Sequence, residues 1–330
     1  MNGKSCNSQK ISVAMAVFNG EKYIKEQLDS IIGQTVKPDE IVICDDSGNN
    51  ETFKAIEPFI ERYPGLIQYH KNDSSLGASK NFEKAISLTN GDLIFLSDQD
   101  DVWNKTKIGK LASLLNDSPD CGGAFCNSEV VDQELNPLGY THWDLRGFSA
   151  DQPESEHRNH LDFFVRRVPA AGHNIAFKCR LKDLVLPFPE LEECHDTWLG
   201  LIIEATEGWC FTAECLTKFR QHDSNLSKAG KFNQLQQALY AIRQNRFSWN
   251  EQLYSELIER LSSSGRDIDK GIFDLLRNRR DHCRIRAEMN CNIFKRFPMI
   301  CKEIGNRRYF KYGRGWKSVC QDLVLRLFSH

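Results

Sequence analysis

Four short apolar runs, each followed by a segment with helical spacing, fill the first 115 residues and restrict the fold more than any other feature of the chain. Residues 11–17 (ISVAMAV) read as a buried strand. Residues 21–32 then place Tyr23, Ile24, Leu28, Ile31 and Ile32 on one helical face. Residues 40–44 (EIVIC), 66–70 and 92–96 (DLIFL) read as the next strands, and 50–63, 77–88 and 105–115 as the helices between and after them. Parallel strands need crossover connections, and helices serve as those connections. The pattern predicts an α/β chain of GT-A (Rossmann-like) type, a mixed, mostly parallel sheet flanked by helices. Beyond it, 123–126, 174–178 and 209–212 read as strands and 196–205 as a helix. From about residue 232 the pattern is helical and charged, which predicts a helical C-terminal extension.

In open α/β sheets, ligands bind beyond the carboxyl ends of the strands, where strand order reverses. Three strand ends here are polar: Phe18-Asn19-Gly20, Asp45-Asp46-Ser47-Gly48 and Ser97-Asp98-Gln99-Asp100-Asp101. The last sets three carboxylates within four residues after an apolar strand. Like charges so close repel and raise one another's pKa unless a cation lies among them. Hard oxygen ligands suit Mg2+ or Mn2+, which also hold substrate phosphates. A solvated acidic loop, or an aspartate capping the next helix, is the plainer alternative. Asp45 and Asp46 read equally as a turn before a helix or as acceptors for a nucleobase or ribose.

Taken together, ISVAMAVFNGEKYIKEQLDSIIGQT, EIVICDDSGNNET and LGASKNFEKAISLTNGDLIFLSDQDDVW resemble the GT-A-fold, family 2 inverting glycosyltransferases. The likeness is dense over residues 10–115. It continues more thinly to about 225 through GHNIAFK, HDTWLG and FRQHDSN, and SDQDDVW, HDTW and FRQH look closest to the rhamnosyltransferase-like, surface-polysaccharide branch.

The resemblance implies transfer of a sugar from a nucleotide-diphosphate donor, dTDP-rhamnose or a UDP-sugar, to a saccharide or lipid-linked saccharide. It places Val17, Phe18, Asn19 and Tyr23 around the nucleobase, with Asp45 and Asp46 holding it. Asp98 and Asp100 would contact ribose and a diphosphate bound to a Mg2+ or Mn2+ ion, and Asp101 would support the metal shell. By residue type alone, His222 reads as a further ligand of that ion, a phosphate partner or a structural histidine. Asp196 would be the catalytic base, with His195 where the family more often carries an acid. Arg220 would meet the diphosphate, and His173-Asn174 would shape the acceptor cleft. The Q-x-x-R-W element of processive synthases is absent, so a single transfer is expected. Residues 1–230 would form the catalytic domain, with 10–115 as its nucleotide-sugar half and 116–230 as its acceptor half. Residues 231–330 would form a helical, basic region.

Other functions lack their motifs. A dinucleotide-binding oxidoreductase needs G-x-G-x-x-G after the first strand, where this chain has FNGEKY. A pyrophosphorylase needs a Gly/Arg/Lys-rich phosphate loop there. A nucleotide-sugar-binding module without turnover is the remaining alternative. Its acids would then be idle.

Twelve cysteines are scattered with no C-x-x-C, which predicts free thiols in a reducing compartment. No apolar run approaches the roughly 20 residues that span a bilayer, and the first ten residues are polar, so a cytoplasmic protein is expected. Charge is unevenly spread. Residues 270–330 hold 15 Lys and Arg against 5 Asp and Glu, whereas 1–269 hold 28 against 40. A basic tail implies a polyanionic neighbour. No nucleic-acid-binding motif is present, which leaves an anionic membrane surface at the inner face of the cell membrane. Val319, Cys320, Leu323, Val324, Leu327 and Phe328 recur on one helical face with Arg314, Lys317 and Arg326 nearby. They read either as an interfacial helix or as one closing the domain.

Overall fold

Strands that are covered on both faces read as near-continuous apolar runs. This property fixes the centre of the sheet. β1 (Ile11–Val17), β2 (Glu40–Asp45) and β4 (Leu93–Ser97) are buried almost throughout, while β3 (Ile67–Lys71) lies at the edge and is only partly buried. The computed structural model describes residues 9–149, 160–192, 194–223, 225, 246–289 and 292–324. The chain divides into two units, residues 1–157 with 169–223 and residues 158–168 with 224–330.

The first unit adds β5 (Val102–Trp103), β6 (Gly123–Val131), β7 (Pro137–Thr141), β8 (Ile175–Lys178) and β9 (Trp209–Arg220). The strand order is β3-β2-β1-β4-β8-β6-β9-β5, with β7 paired to β6. β1 to β4 are mutually parallel, and β8 reverses direction between β4 and β6. β9 returns to the common direction beside β6, so the sheet is mixed and mostly parallel, as expected. The order reverses at β1, between β2 and β4, and the polar ends of these three strands meet there.

Helices α1 (Ile24–Ile32), α2 (Glu51–Arg62), α3 (Ala78–Leu88) and α4 (Lys107–Asp117) cross between the strands. α1 buries Ile24, Leu28 and Ile31 against the sheet core. It starts later than its apolar spacing predicts, because Gly20 O accepts from both Tyr23 N and Ile24 N and turns residues 21–23. α5 (His142–Arg146), α6 (Leu161–Phe164, in the second unit), α7 (Lys182–Val185) and α8 (His195–Thr206) follow. β9 runs eight residues past its expected end at 212. Its middle is exposed, so it lacks an apolar signature, yet it pairs with β6 through Arg220 across two register shifts. The described cysteines are free.

The second unit contains α6 and α9 (Arg246–Ser263), α10 (Lys270–Glu288), α11 (Ile293–Gly305), α12 (Arg308–Tyr312) and α13 (Trp316–Val324). Asp269 caps α10 by accepting from Gly271 N, and Asn292 caps α11 by accepting from Lys295 N. Met289, Ile300, Tyr309 and Val319 form a core, and a charged network lies beside it. Arg286 grips Asp322 at 2.7 and 3.1 Å, and Tyr309 Oη donates to the same carboxylate at 2.7 Å. Val319 and Leu323 of the expected stripe pack on this core, whereas Cys320 and Val324 of the same stripe are exposed. Arg326, Leu327 and Phe328 lie outside the described residues. No described helix is long and apolar enough to cross a membrane.

Candidate active site

The loop after β4 is held from three sides. Gln99 Nε2 donates to Phe18 O at 2.9 Å and its Oε1 accepts from Phe18 N at 2.8 Å, tying the loop to the end of β1. A Cβ on Gly20 would lie 2.6 Å from Gln99 Oε1 and 2.9 Å from Val17 Cγ1, so glycine leaves room for this clamp. From below, Gln27 Nε2 donates to Ser97 Oγ at 2.7 Å. From β9, Arg220 N donates to Asp101 Oδ1 at 3.0 Å and Arg220 Nε to Asp100 O at 2.8 Å.

Arg220 is placed otherwise than expected. Its side chain is 2% exposed, lies over the Tyr23 ring at 4.4 Å and donates to Gln133 O and Glu26. An arginine engaged in this way fixes the acidic loop and does not present a free fork to a diphosphate. Tyr23 likewise turns toward Arg220 and His222, whose ring centroid is 5.0 Å away. His222 Nε2 stands 2.7 Å from Asp100 Oδ2, but among the described residues it is Asp101 and His173, not Asp100 and His222, that gather with Asp98 within ligand range.

At the other strand ends, Phe18 and Asn19 are exposed at the mouth of the switch point, with Asn19 in the left-handed region at φ 50°. Val17 is instead packed in the core. Asp45 is fully buried; it accepts from Ser47 N at 2.8 Å and from Tyr69 Oη at 2.7 Å. It shapes the turn, a correction to its expected contact with the base. Asp46 accepts from Asn72 Nδ2 at 2.5 Å, Leu76 N at 3.0 Å and Gly77 N at 2.8 Å, and so orders the 75–77 loop.

Asp98, Asp101 and His173 each bring a donor atom within 4.8 Å of the others. Burial, then Asp100 and Asp196, push the Asp98 carboxyl up to about 7. Burial, then Asp100 and Asp98, likewise raise Asp101 well above the usual carboxylate range. Asp101 Oδ2 and His173 Nε2 are buried with no hydrogen-bond partner. Lys107 is the nearby cation. It is fully buried on the apolar stripe of α4, lies 3.7 Å from the Trp103 ring centre and donates to His173 O at 2.6 Å. Burial pulls its ammonium down to about 8. Excess negative charge, orphaned donors and a mixed carboxylate and imidazole set together fit a divalent cation. His173, expected at the acceptor cleft, thus joins the acidic cluster.

Asp196 sits in the first turn of α8, with Oδ1 3.1 Å from His195 Nε2. The His195 ring stacks on Phe82 at 4.6 Å, and Cys194 N donates to Ser79 Oγ at 2.9 Å, so the start of α8 is pinned to α3. Burial would raise the Asp196 carboxyl, but His195, Arg146 and the Gly172 amide outweigh it and hold the group below its usual range. This direction favours the deprotonated carboxylate, the state a proton acceptor requires. A Cβ on Gly172 would lie 3.1 Å from Asp196 Oδ1, so glycine permits this approach. Gly172 adjoins His173, so the approach of Asp196 to Gly172 brings it beside the Asp98, Asp101 and His173 cluster.

The family model described as "Glycosyl transferase family 2" matches residues 12–178, from β1 through β8. The chain belongs to this family. The dTDP-rhamnosyl transferase RfbG of Shigella flexneri is 43% identical to this glycosyltransferase over 227 residues, 64% of this chain and 72% of that one. Two solved structures are similar in fold. One is S. aureus TarS 1-349 in complex with UDP-GlcNAc (TM-score 0.57, 17% identity, 82% of this chain and 72% of that chain). The other is the mannosyltransferase PcManGT from Pyrobaculum calidifontis in complex with GDP-Man and Mn2+ (TM-score 0.52, 15% identity, 97% and 86%). The glycosyltransferase thus has the GT-A architecture read from its sequence, with a named rhamnosyl transferase among its relatives.

Proposed function

We propose that this glycosyltransferase moves rhamnose from dTDP-rhamnose to a hydroxyl of a saccharide or lipid-linked saccharide, with inversion, in the synthesis of a bacterial surface polysaccharide. One observation carries the chemistry: Asp196 lies against Gly172, and the adjoining His173 shares one cluster with Asp98 and Asp101 beyond the end of β4. Asp196 takes the acceptor hydroxyl proton as that oxygen bonds to the anomeric carbon and the bond to the diphosphate breaks. Attack opposite the leaving group inverts the anomeric centre. His195 lies beside the base with its Nε2 3.1 Å from Asp196 Oδ1, and Gln99 and Arg220 fix the acidic loop that faces the donor. Asp98 and Asp100 with His222, or Asp98 and Asp101 with His173, would hold a Mg2+ or Mn2+ ion, which when bound supplies positive charge to a diphosphate leaving group.

The rhamnose donor is supported by the 43% identity to RfbG, and a UDP-sugar is the competing donor. The test is release of nucleoside diphosphate from dTDP-rhamnose, UDP-glucose, UDP-galactose and UDP-N-acetylglucosamine, with saccharide acceptors and Mn2+ or Mg2+. Turnover of dTDP-rhamnose above the others is expected, with a product of inverted anomeric configuration by NMR. Preference for a UDP-sugar, or retention of configuration, overturns the reading.

A further inference from the structure

Residues 292–324 expose charge of one sign. Lys295, Lys302, Arg307, Arg314 and Lys317 are exposed and form no ion pair among the described residues, while Lys311 pairs with Asp162. The segment's two carboxylates, Glu303 and Asp322, are both fully buried. His282 and Arg308 hold the first, and Arg286 and Tyr309 the second. A merely solvated surface interleaves both signs.

The same segment exposes aromatic rings. α11 has an inner stripe that includes Ile300 and Ile304, and an outer one of Phe294, Phe297, Pro298 and Cys301 at i, i+3, i+4 and i+7. Phe294 is 86% exposed and Phe297 55%. Lys295 and Lys302 flank this outer stripe, two turns apart. A helix that keeps two phenylalanines in water beside unpaired lysines has one apolar face left to cover.

We propose that the outer face of α11 docks on an anionic lipid bilayer, with Phe294 and Phe297 at the boundary between headgroups and acyl chains and Lys295 and Lys302 on lipid phosphates. The charge pattern selects this occupant. A second copy presenting the same face would set cations against cations. A soluble polyanion would use the lysines but give exposed phenyl rings nothing to enter. A bilayer surface offers phosphate outside and hydrocarbon beneath, the arrangement that amphipathic interfacial helices use. The proposal goes beyond sugar transfer and does not depend on it.

The test is co-sedimentation of the full chain with vesicles, read without any activity assay. One set is phosphatidylcholine alone; the other holds roughly one-third phosphatidylglycerol, at about 0.1 M salt. The protein is expected to partition onto the anionic vesicles at least about tenfold more strongly, and to leave them as salt is raised toward about 1 M. F294S/F297S should weaken partition about tenfold or more, and K295Q/K302Q about tenfold. These side chains are exposed, so melting followed by circular dichroism should be unchanged. Absence of binding to anionic vesicles overturns the proposal, as does wild-type partition by both double variants. A lipid-free dimer in sedimentation velocity that F294S/F297S dissolves would assign the face to a second copy and also overturn it.

Discussion

His222 Nε2 and Asp100 Oδ2 lie 2.7 Å apart although 122 positions separate them in the chain. β9 makes the meeting. It runs beside β6 as far as Arg220, and the turn beyond it drops His222 onto the acidic loop that ends β4. Arg220 fastens the same junction through Asp100 O and Asp101 Oδ1.

Removing the metal should act on donor binding first. Chelation by EDTA, or Asp100→Asn, is expected to weaken binding of the nucleotide sugar by about tenfold or more, measured by calorimetry with and without Mn2+. Donor affinity that is unchanged by both would remove the cation from the account.

Arg220→Ala should lower stability rather than only donor affinity. The guanidinium is buried over Tyr23, and its loss leaves Gln133 O and the Asp100 carbonyl without a donor. A loss of about 2 kcal/mol is expected in urea unfolding. Full stability with a raised KM alone would return Arg220 to the role of a diphosphate partner.

Gly172→Ala places a methyl 3.1 Å from Asp196 Oδ1 and 3.4 Å from His195 Nε2. Displacement of the base should reduce kcat about tenfold, with a much smaller effect on KM for the donor. An unchanged kcat would show that the approach of this backbone to Asp196 does not matter for transfer.

The helical unit should lose stability in mild acid. Burial pulls the His282 imidazole down to about 4, against Glu303, which raises it; Arg286 and Arg279 lower it further. Its Nδ1 is 2.5 Å from Glu303 Oε2, and its buried Nε2 has no partner to receive a second proton's hydrogen bond. Above the ordinary histidine pKa of about 6.5 both folded and unfolded chains carry a neutral ring, and the stability is fully present. As pH falls from about 6.5 toward about 4, the unfolded chain takes up a proton that the folded chain does not, and stability is lost. His282→Gln should therefore flatten the fall in Tm between pH 7 and pH 4.5, values chosen to span roughly that window. A fall equal to that of the wild type would contradict this.

Much of the fold was legible because β1, β2 and β4 are buried on both faces and so carry near-continuous apolar runs, with Ser12 the one polar residue inside them. β5 and the second half of β9 were not: two residues hold no period, and residues 213–215 face solvent. The acidic loop and Asp196 were visible as residue types at strand and helix ends. The clasp of Arg220 on Tyr23, Glu26 and Gln133 was not, since burial of a cation depends on partners distant in sequence. Lys107 did leave a signal. It occupies the same helical face as Ile108, Leu111 and Leu115, where a lysine is out of place unless it is held internally. Gln99 and Gln133 left none, because a polar loop residue looks the same whether it faces water or clamps a neighbouring strand.

The most direct measurement is of Asp196→Asn with dTDP-rhamnose, comparing donor affinity by calorimetry with single-turnover transfer to an acceptor. Donor affinity within about twofold of wild type and transfer slowed by about a hundredfold or more are expected, since asparagine keeps the shape but cannot accept the proton. Transfer at the wild-type rate would contradict the assignment of Asp196 as the base.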